Sequence, residues 1–171
     1  VLRDHRQRQH HRRRRTHAPG GLRAGAAGAP VSTGVGTGPR AVTVDPTGRF
    51  LYVANNGTHS VSAYLIASAD GSLTAIGSPI LVTPETGPVS LSADPLGKFL
   101  YVANATSGSV SAFLIDPATG ALSAIPSPVS ITSPQSIAVD LSGQFVYVAN
   151  GTTNNVSAFV IQANGGLINT S

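Results

Sequence analysis

The hydrophobic pattern of this chain is a repeat. Phe50-Leu51-Tyr52-Val53-Ala54-Asn55 returns as Phe99-Leu100-Tyr101-Val102-Ala103-Asn104 and again as Phe145-Val146-Tyr147-Val148-Ala149-Asn150. Tyr52, Tyr101 and Tyr147 are 49 and 46 residues apart. Read as strands, these runs are apolar on both faces: Phe50, Tyr52 and Ala54 on one, Leu51 and Val53 on the other. A strand with one wet face alternates apolar with polar, so a strand apolar front and back must be covered on both sides.

Each period holds four such elements. A short strand precedes the run, at residues 41–44, 90–93 and 136–139. The turns Asp45-Pro46-Thr47-Gly48, Asp94-Pro95-Leu96-Gly97 and Asp140-Leu141-Ser142-Gly143 join the two, with the Asp-first, Gly-last chemistry of a type I turn. A third strand is predicted at residues 61–66, 110–115 and 156–161, each opening Val-Ser-Ala. Hairpin turns such as Asp70-Gly71 and Asn164-Gly165 lead to a fourth strand at 73–76 and 122–125. Ser78-Pro79 and Ser127-Pro128 follow it, and Pro belongs at a sheet edge, so this strand is placed at the rim. A period of roughly 40–50 residues carrying four strands suits a β-propeller blade, whose covers are its neighbours. The expected fold is all-β: about three four-stranded antiparallel blades of an incomplete propeller, behind a disordered basic tail.

Ala29-Pro30-Val31 lies 49 residues before Ser78-Pro79-Ile80, and Gly38-Pro39 lies 49 before Gly87-Pro88. The expected organisation is therefore a tail at 1–27 and a partial propeller at 28–171. Within it, 28–38 ends a preceding blade, 39–87 and 88–133 are blades, and 134–171 is a truncated one. The chain has no Met, even at position 1, and is expected to be a piece of a longer propeller or a processed product. Two blade faces would then be bare, each forgoing about 1.5–3 kcal/mol per large apolar side chain. A chain so cut is expected to be marginal, self-associating or an open arc.

Composition narrows the chemistry. The 171 residues contain no Cys, which excludes disulfides, thiolate catalysis and Cys-based zinc sites. No run of apolar residues is long enough for a membrane span. The net charge of +4 hides a division: residues 1–38 hold eight of the eleven Lys+Arg, and residues 39–171 hold only Arg40, Arg49 and Lys98 against six acids. No aromatic residue interleaves Arg12-Arg13-Arg14-Arg15, so a solvated tail is expected, with no specific nucleic-acid partner. No apolar segment follows these charges, as a signal peptide would require.

The pattern Asp-Pro-x-Gly-x-Phe-x-Tyr-Val-Ala-Asn, then Val-Ser-Ala-aromatic-x-Ile, then Thr-Gly-Ala-Leu, resembles the β-propeller lactonase family. That family takes in the 6-phosphogluconolactonase-like enzymes and the YVTN-type surface repeats. The stretch from Asp94 to Leu122 carries the pattern nearly whole. The resemblance implies a propeller and, in its enzymes, hydrolysis of a sugar-phosphate lactone. Enzyme-like members tend to carry Pro-Arg-His before an inner strand and Asn-Glu after the Tyr-Val strand. Here stand Pro39-Arg40-Ala41, Pro88-Val89-Ser90 and Pro134-Gln135-Ser136, followed by Asn55-Asn56, Asn104-Ala105 and Asn150-Gly151. Only Arg40 matches.

Lactone hydrolysis needs a base or activated water, and cations for a phosphate and a developing oxyanion. The candidates are Arg40 at an inner-strand start, His59 in a loop, and Glu85, the only Glu, in the link before Gly87-Pro88. Each also reads as a solvated loop or strand-end residue. No metal ligand set and no cofactor are expected. The leading expectation is a binding or structural scaffold in a lactonase-like propeller, exported to the periplasm, cell surface or medium. Its partners would be the missing blades and a small sugar lactone or surface ligand at the channel mouth. The alternative is a sugar-lactone hydrolase of the 6-phosphogluconolactonase type.

Overall fold

The computed structural model describes residues 28–35 and 37–170, so the tail expected at 1–27 lies outside the described residues. These residues form strands, turns and loops, with no helix among them. The first sheet has β1 (Pro39–Val44), β2 (Phe50–Asn55), β3 (Ser60–Ile66) and β4 (Leu73–Ala75) in that order, with β5 (Ile80–Leu81) also on β3. The second has β6 (Pro88–Ala93), β7 (Phe99–Asn104), β8 (Ser109–Ile115) and β9 (Leu122–Ser130). The third has β10 (Pro134–Val139), β11 (Phe145–Asn150), β12 (Asn155–Ile161) and β13 (Leu167–Asn169). All neighbours pair antiparallel and in the same register from sheet to sheet: Tyr52 opposite Ala63, Tyr101 opposite Ala112, Tyr147 opposite Ala158. Each sheet is one blade.

The aspartates set the first hairpin of each blade. Asp45 Oδ1 accepts the N–H groups of Arg49 and Phe50 at 2.8 and 2.7 Å, and Oδ2 accepts that of Thr47 at 3.0 Å. Asp94 does the same for Lys98, Phe99 and Leu96, and Asp140 for Gln144, Phe145 and Ser142. A carboxylate that accepts three backbone donors fixes the turn and the start of the central strand together.

The cores lie between blades. Phe50, Tyr52, Ala54 and Val61 of the first blade meet Leu91, Leu100, Val102 and Phe113 of the second. Phe99, Tyr101, Ala103 and Val110 of the second meet Ile137, Val146, Val148 and Phe159 of the third. Each blade thus offers a Phe-Tyr-Ala face to the Leu/Val face of the next. The consequence shows in burial. The middle strand β7 is buried at all its positions, whereas β11 alternates, with Val146, Val148 and Asn150 buried and Tyr147 and Ala149 exposed.

The outer strand differs from blade to blade. In the first it breaks into β4 and β5, and in the second β9 runs on through Pro126 to Ser130. Gly77 explains the break: it sits at φ 62°, in the left-handed region, where its counterpart Pro126 cannot go. The Pro-bearing strand lies at the sheet edge, as expected.

Candidate functional site

The three candidate residues fall at one end of the blades, where β1, β6 and β10 begin. There Pro39 pairs with Asn55 and Ala41 with Ala54, so Arg40 is the extra residue of a β-bulge. Val89 and Gln135 occupy the same bulge in the second and third blades. A bulge bends the strand and re-aims the side chain it carries. The three positions use this differently. Arg40 is exposed and makes no hydrogen bond or ion pair among the described residues. Val89 packs against the second core. Gln135 lies over Gly151, where an added Cβ would come within 2.9 Å of its Cγ.

His59 and Glu85 have structural work. His59 sits at φ 52°, with Gly108 at 64° and Asn154 at 53° in the matching loops, so this position demands a left-handed backbone. Its Nδ1 accepts the N–H of Gly87 at 3.2 Å, and its carbonyl accepts the N–H of Val82 at 2.9 Å. Glu85 accepts the Ser109 hydroxyl at 2.5 Å. Both side chains fasten the link between the first and second blades to the loops beside it. The structure places His59 on the Gly87 N–H and Glu85 on the Ser109 hydroxyl, at the two sides of one link. Among the described residues no three His, Cys, Asp or Glu cluster to hold a metal ion.

Below this rim the asparagines of the repeat close the strand ends. Asn55 Nδ2 donates to Ser60 and Ser62 at 3.2 and 2.8 Å, and Asn104 Nδ2 to Ser109 and Ser111 at 3.3 and 2.8 Å. Asn150 Nδ2 donates to Asn155 Oδ1 and Ser157 at 2.8 and 2.9 Å. The Oδ1 atoms of all three are buried without a partner among the described residues. Turning the amides over would exchange the orphaned oxygen for an orphaned nitrogen and leave the cost of about 1–3 kcal/mol in place. Beside them, Thr106, Ser107, Ser130, Thr132 and Ser133 line an open hollow of about 480 Å³ that contains hydroxyls and no charged group.

The sequence aligns Arg40 with Val89 and Gln135, but does not mark the β-bulge on which all three sit. The Pro that recurs before each of these residues marks the position, while the bulge itself comes from the pairing of Pro39 with Asn55 and Ala41 with Ala54.

A family model described as lactonase, 7-bladed β-propeller, matches residues 26–139 and 91–171. This chain belongs to that lactonase propeller family. The two matched stretches overlap, as a chain of like blades should allow. Comparison with curated proteins found no match. Among solved structures, a candidate 6-phosphogluconolactonase of Bacteroides fragilis is 26% identical, with a TM-score of 0.73 over 80% of this chain and 38% of its own. The periplasmic gluconolactonase of Pseudomonas aeruginosa is also 26% identical, with a TM-score of 0.69 over 77% of this chain and 38% of its own. A candidate 6-phosphogluconolactonase of Bacteroides uniformis, 20% identical with a TM-score of 0.70 over 78% of this chain and 40% of its own, shares the fold. This member of the lactonase propellers therefore spans about two fifths of the length of the structures it resembles. No helix long and apolar enough to cross a membrane occurs among the described residues.

Proposed function

We propose that this chain supplies blades to a lactonase-type propeller and acts there as a binding and structural scaffold, with Arg40 offered to an anionic sugar ligand at the channel mouth. One contrast carries the reading. His59 and Glu85 are committed to hydrogen bonds that hold a blade link, while Arg40 stands on a bulge with its guanidinium unpaired among the described residues. A guanidinium matches carboxylate and phosphate oxygens in geometry and charge. Other blades of the same propeller would complete the mouth. Export to the periplasm, cell surface or medium goes with this reading. Its supports are a surface with a single Lys, Lys98, and the likeness to a periplasmic protein. Cell fractionation tests it.

The deciding experiment is titration calorimetry of the full chain with 6-phosphogluconate, alongside an assay on the corresponding lactone. The reading expects saturable binding that Arg40→Ala weakens about tenfold, the loss of one charge-assisted contact, with no turnover above the spontaneous rate. Binding untouched by Arg40→Ala, or none, would end it. The family and the two neighbours at 26% identity favour a second reading, a sugar-lactone hydrolase. Turnover abolished by Arg40→Ala would carry that reading instead.

A further inference from the structure

The links that carry the chain from blade to blade differ at one place. In the first link the Val82 N–H donates to the carbonyl of His59 at 2.9 Å, and the Gly87 carbonyl accepts the N–H of Ala105 at 2.8 Å. In the second link Ile131 and Ser133 hold the same two places. The Ile131 N–H donates to the Gly108 carbonyl at 2.8 Å, and the Ser133 carbonyl accepts the N–H of Gly151 at 3.0 Å. Thr83, Pro84, Glu85 and Thr86 stand between these points in the first link, and Thr132 alone in the second. That is the difference between the 49-residue and the 46-residue period. His59 reaches across to Gly87 in the first junction, and Gly108 takes its place in the second. A shorter link facing a loop without that side chain leaves the hollow of about 480 Å³ between residues 105–108 and 130–133.

Two features of this hollow go beyond a gap in packing. The hydroxyls of Thr106, Ser130, Thr132 and Ser133 line it and make no hydrogen bond among the described residues. Ser107 beside them is committed, to Thr86 and Ser109. The second feature is the backbone of Ser133, at φ 50°. Gly38 holds that place before the first blade at 54°, and Gly87 before the second at 72°. A side chain in the left-handed region carries strain that glycine does not, and such strain collects at ligand sites. Each free hydroxyl can donate one hydrogen bond and accept others. Among the described residues that line the hollow there is no cation to balance a phosphate or carboxylate, no acid for an ammonium, and no aromatic ring for a base to stack on.

We propose that this hollow binds a neutral polyhydroxylated ligand, a sugar ring, through the hydroxyls of Thr106, Ser130, Thr132 and Ser133. A sugar offers donors and acceptors side by side, and a protein hydroxyl turns to serve either. The site lies at the junction of the second and third blades, both within this chain, and shares no residue with the position of Arg40 at the start of the first. It therefore stands apart from the anionic ligand proposed for the channel mouth. The hollow is open and its contacts are neutral, so the affinity is expected to be modest, with a Kd on the order of 1 mM.

Titration calorimetry of the full chain with D-glucose, D-galactose and D-mannose in turn tests this. At least one of the three is expected to bind saturably. Ser133→Gly removes a hydroxyl and installs the residue that the other links use. It is expected to keep the thermal midpoint at or above the parent's while weakening binding about 2–10-fold, one hydrogen bond. Thr132→Val keeps the side-chain shape at an exposed position and is expected to weaken binding by a similar factor. Inserting Pro-Glu-Thr between Thr132 and Ser133 gives the second link the length of the first and is expected to abolish binding. Arg40→Ala is expected to leave sugar binding unchanged while it weakens that of 6-phosphogluconate, so the two sites stand or fall separately. Three outcomes would overturn the proposal. They are no saturable binding of any of the three sugars, binding that Ser133→Gly, Thr132→Val or the insertion leaves unchanged, and sugar binding lost with Arg40→Ala, which would move the sugar to the channel mouth.

Discussion

The hydroxyl of Tyr52 reaches across a blade junction to the carbonyl of Gly120, 68 residues away in the chain, at 3.0 Å. Burial, and then the charge of Asp45, raises the Tyr52 phenol above its ordinary range, so the group stays a donor at any working pH. Tyr101 repeats the contact on Gly165 and is raised by burial and by Asp94. Blade stacking therefore has a specific polar lock beside its apolar core.

Gly120→Ala is expected to destabilise the chain more than Gly48→Ala. Both glycines have positive φ, 74° and 73°, but Gly48 has open space at its Cβ position and Gly120 has the Phe50 ring. The backbone strain is common to both, at about 1–2 kcal/mol. Only Gly120→Ala adds overpacking, about 1–3 kcal/mol more. Urea denaturation of the two variants measures the difference.

Leu100→Ala is expected to cost about 2–5 kcal/mol by cavity formation in the first junction. Leu100 is fully buried there, between the first two blades. Leu114, on the neighbouring strand but half exposed, is expected to tolerate Ala within about 0.5 kcal/mol. Paired denaturation curves decide whether the junction holds the weight assigned to it.

Acid is expected to unfold the chain through its turn aspartates. Hydrogen bonds from the Ser142 hydroxyl and the Phe145 N–H lower the Asp140 carboxyl from 3.8 to about 2. Burial pushes the Asp45 carboxyl up, but the bonds from Thr47, Phe50 and Arg49 outweigh it and leave it lowered. A lowered carboxylate contributes stability in full above its unfolded value, and loses it as the pH falls through the folded one. Stability should thus be level above about pH 5 and fall from there toward pH 2. Asp140→Asn should flatten that fall. A slope of the opposite sign in denaturant midpoints against pH would refute the assignment.

The loop position of His59 is expected to accept Gly and Asn and to resist β-branched residues. Gly108 and Asn154 hold the same backbone at φ 64° and 53°. His59→Gly should cost little beyond the bond to Gly87, about 1 kcal/mol, while His59→Val should add strain of about 1–2 kcal/mol. Thermal midpoints of the two variants separate these terms.

The strands were legible because the burial that shapes them is local in sequence. A run such as Phe50 to Asn55, apolar on both faces, states its own need for two covers, and Asp45 states its turn. What joins the blades was not legible. Tyr52 and Gly120, or His59 and Gly87, meet only after the chain has folded through a blade, and no spacing within one repeat marks the pair. The bulge that presents Arg40 is likewise a property of pairing with Asn55 and Ala54. His59 and Glu85 looked like free loop residues because their partners belong to the next link and the next blade.

The central claim is that the Phe-Tyr-Ala faces of the first and second blades are each sealed by the blade that follows. The four tyrosines of the chain report on it directly. Tetranitromethane on the dilute chain, with the sites read by mass spectrometry, should nitrate Tyr147 and spare the buried Tyr52, Tyr64 and Tyr101. Modification of Tyr52 and Tyr101 as fast as Tyr147 would show that the junctions are not closed, and would contradict the account.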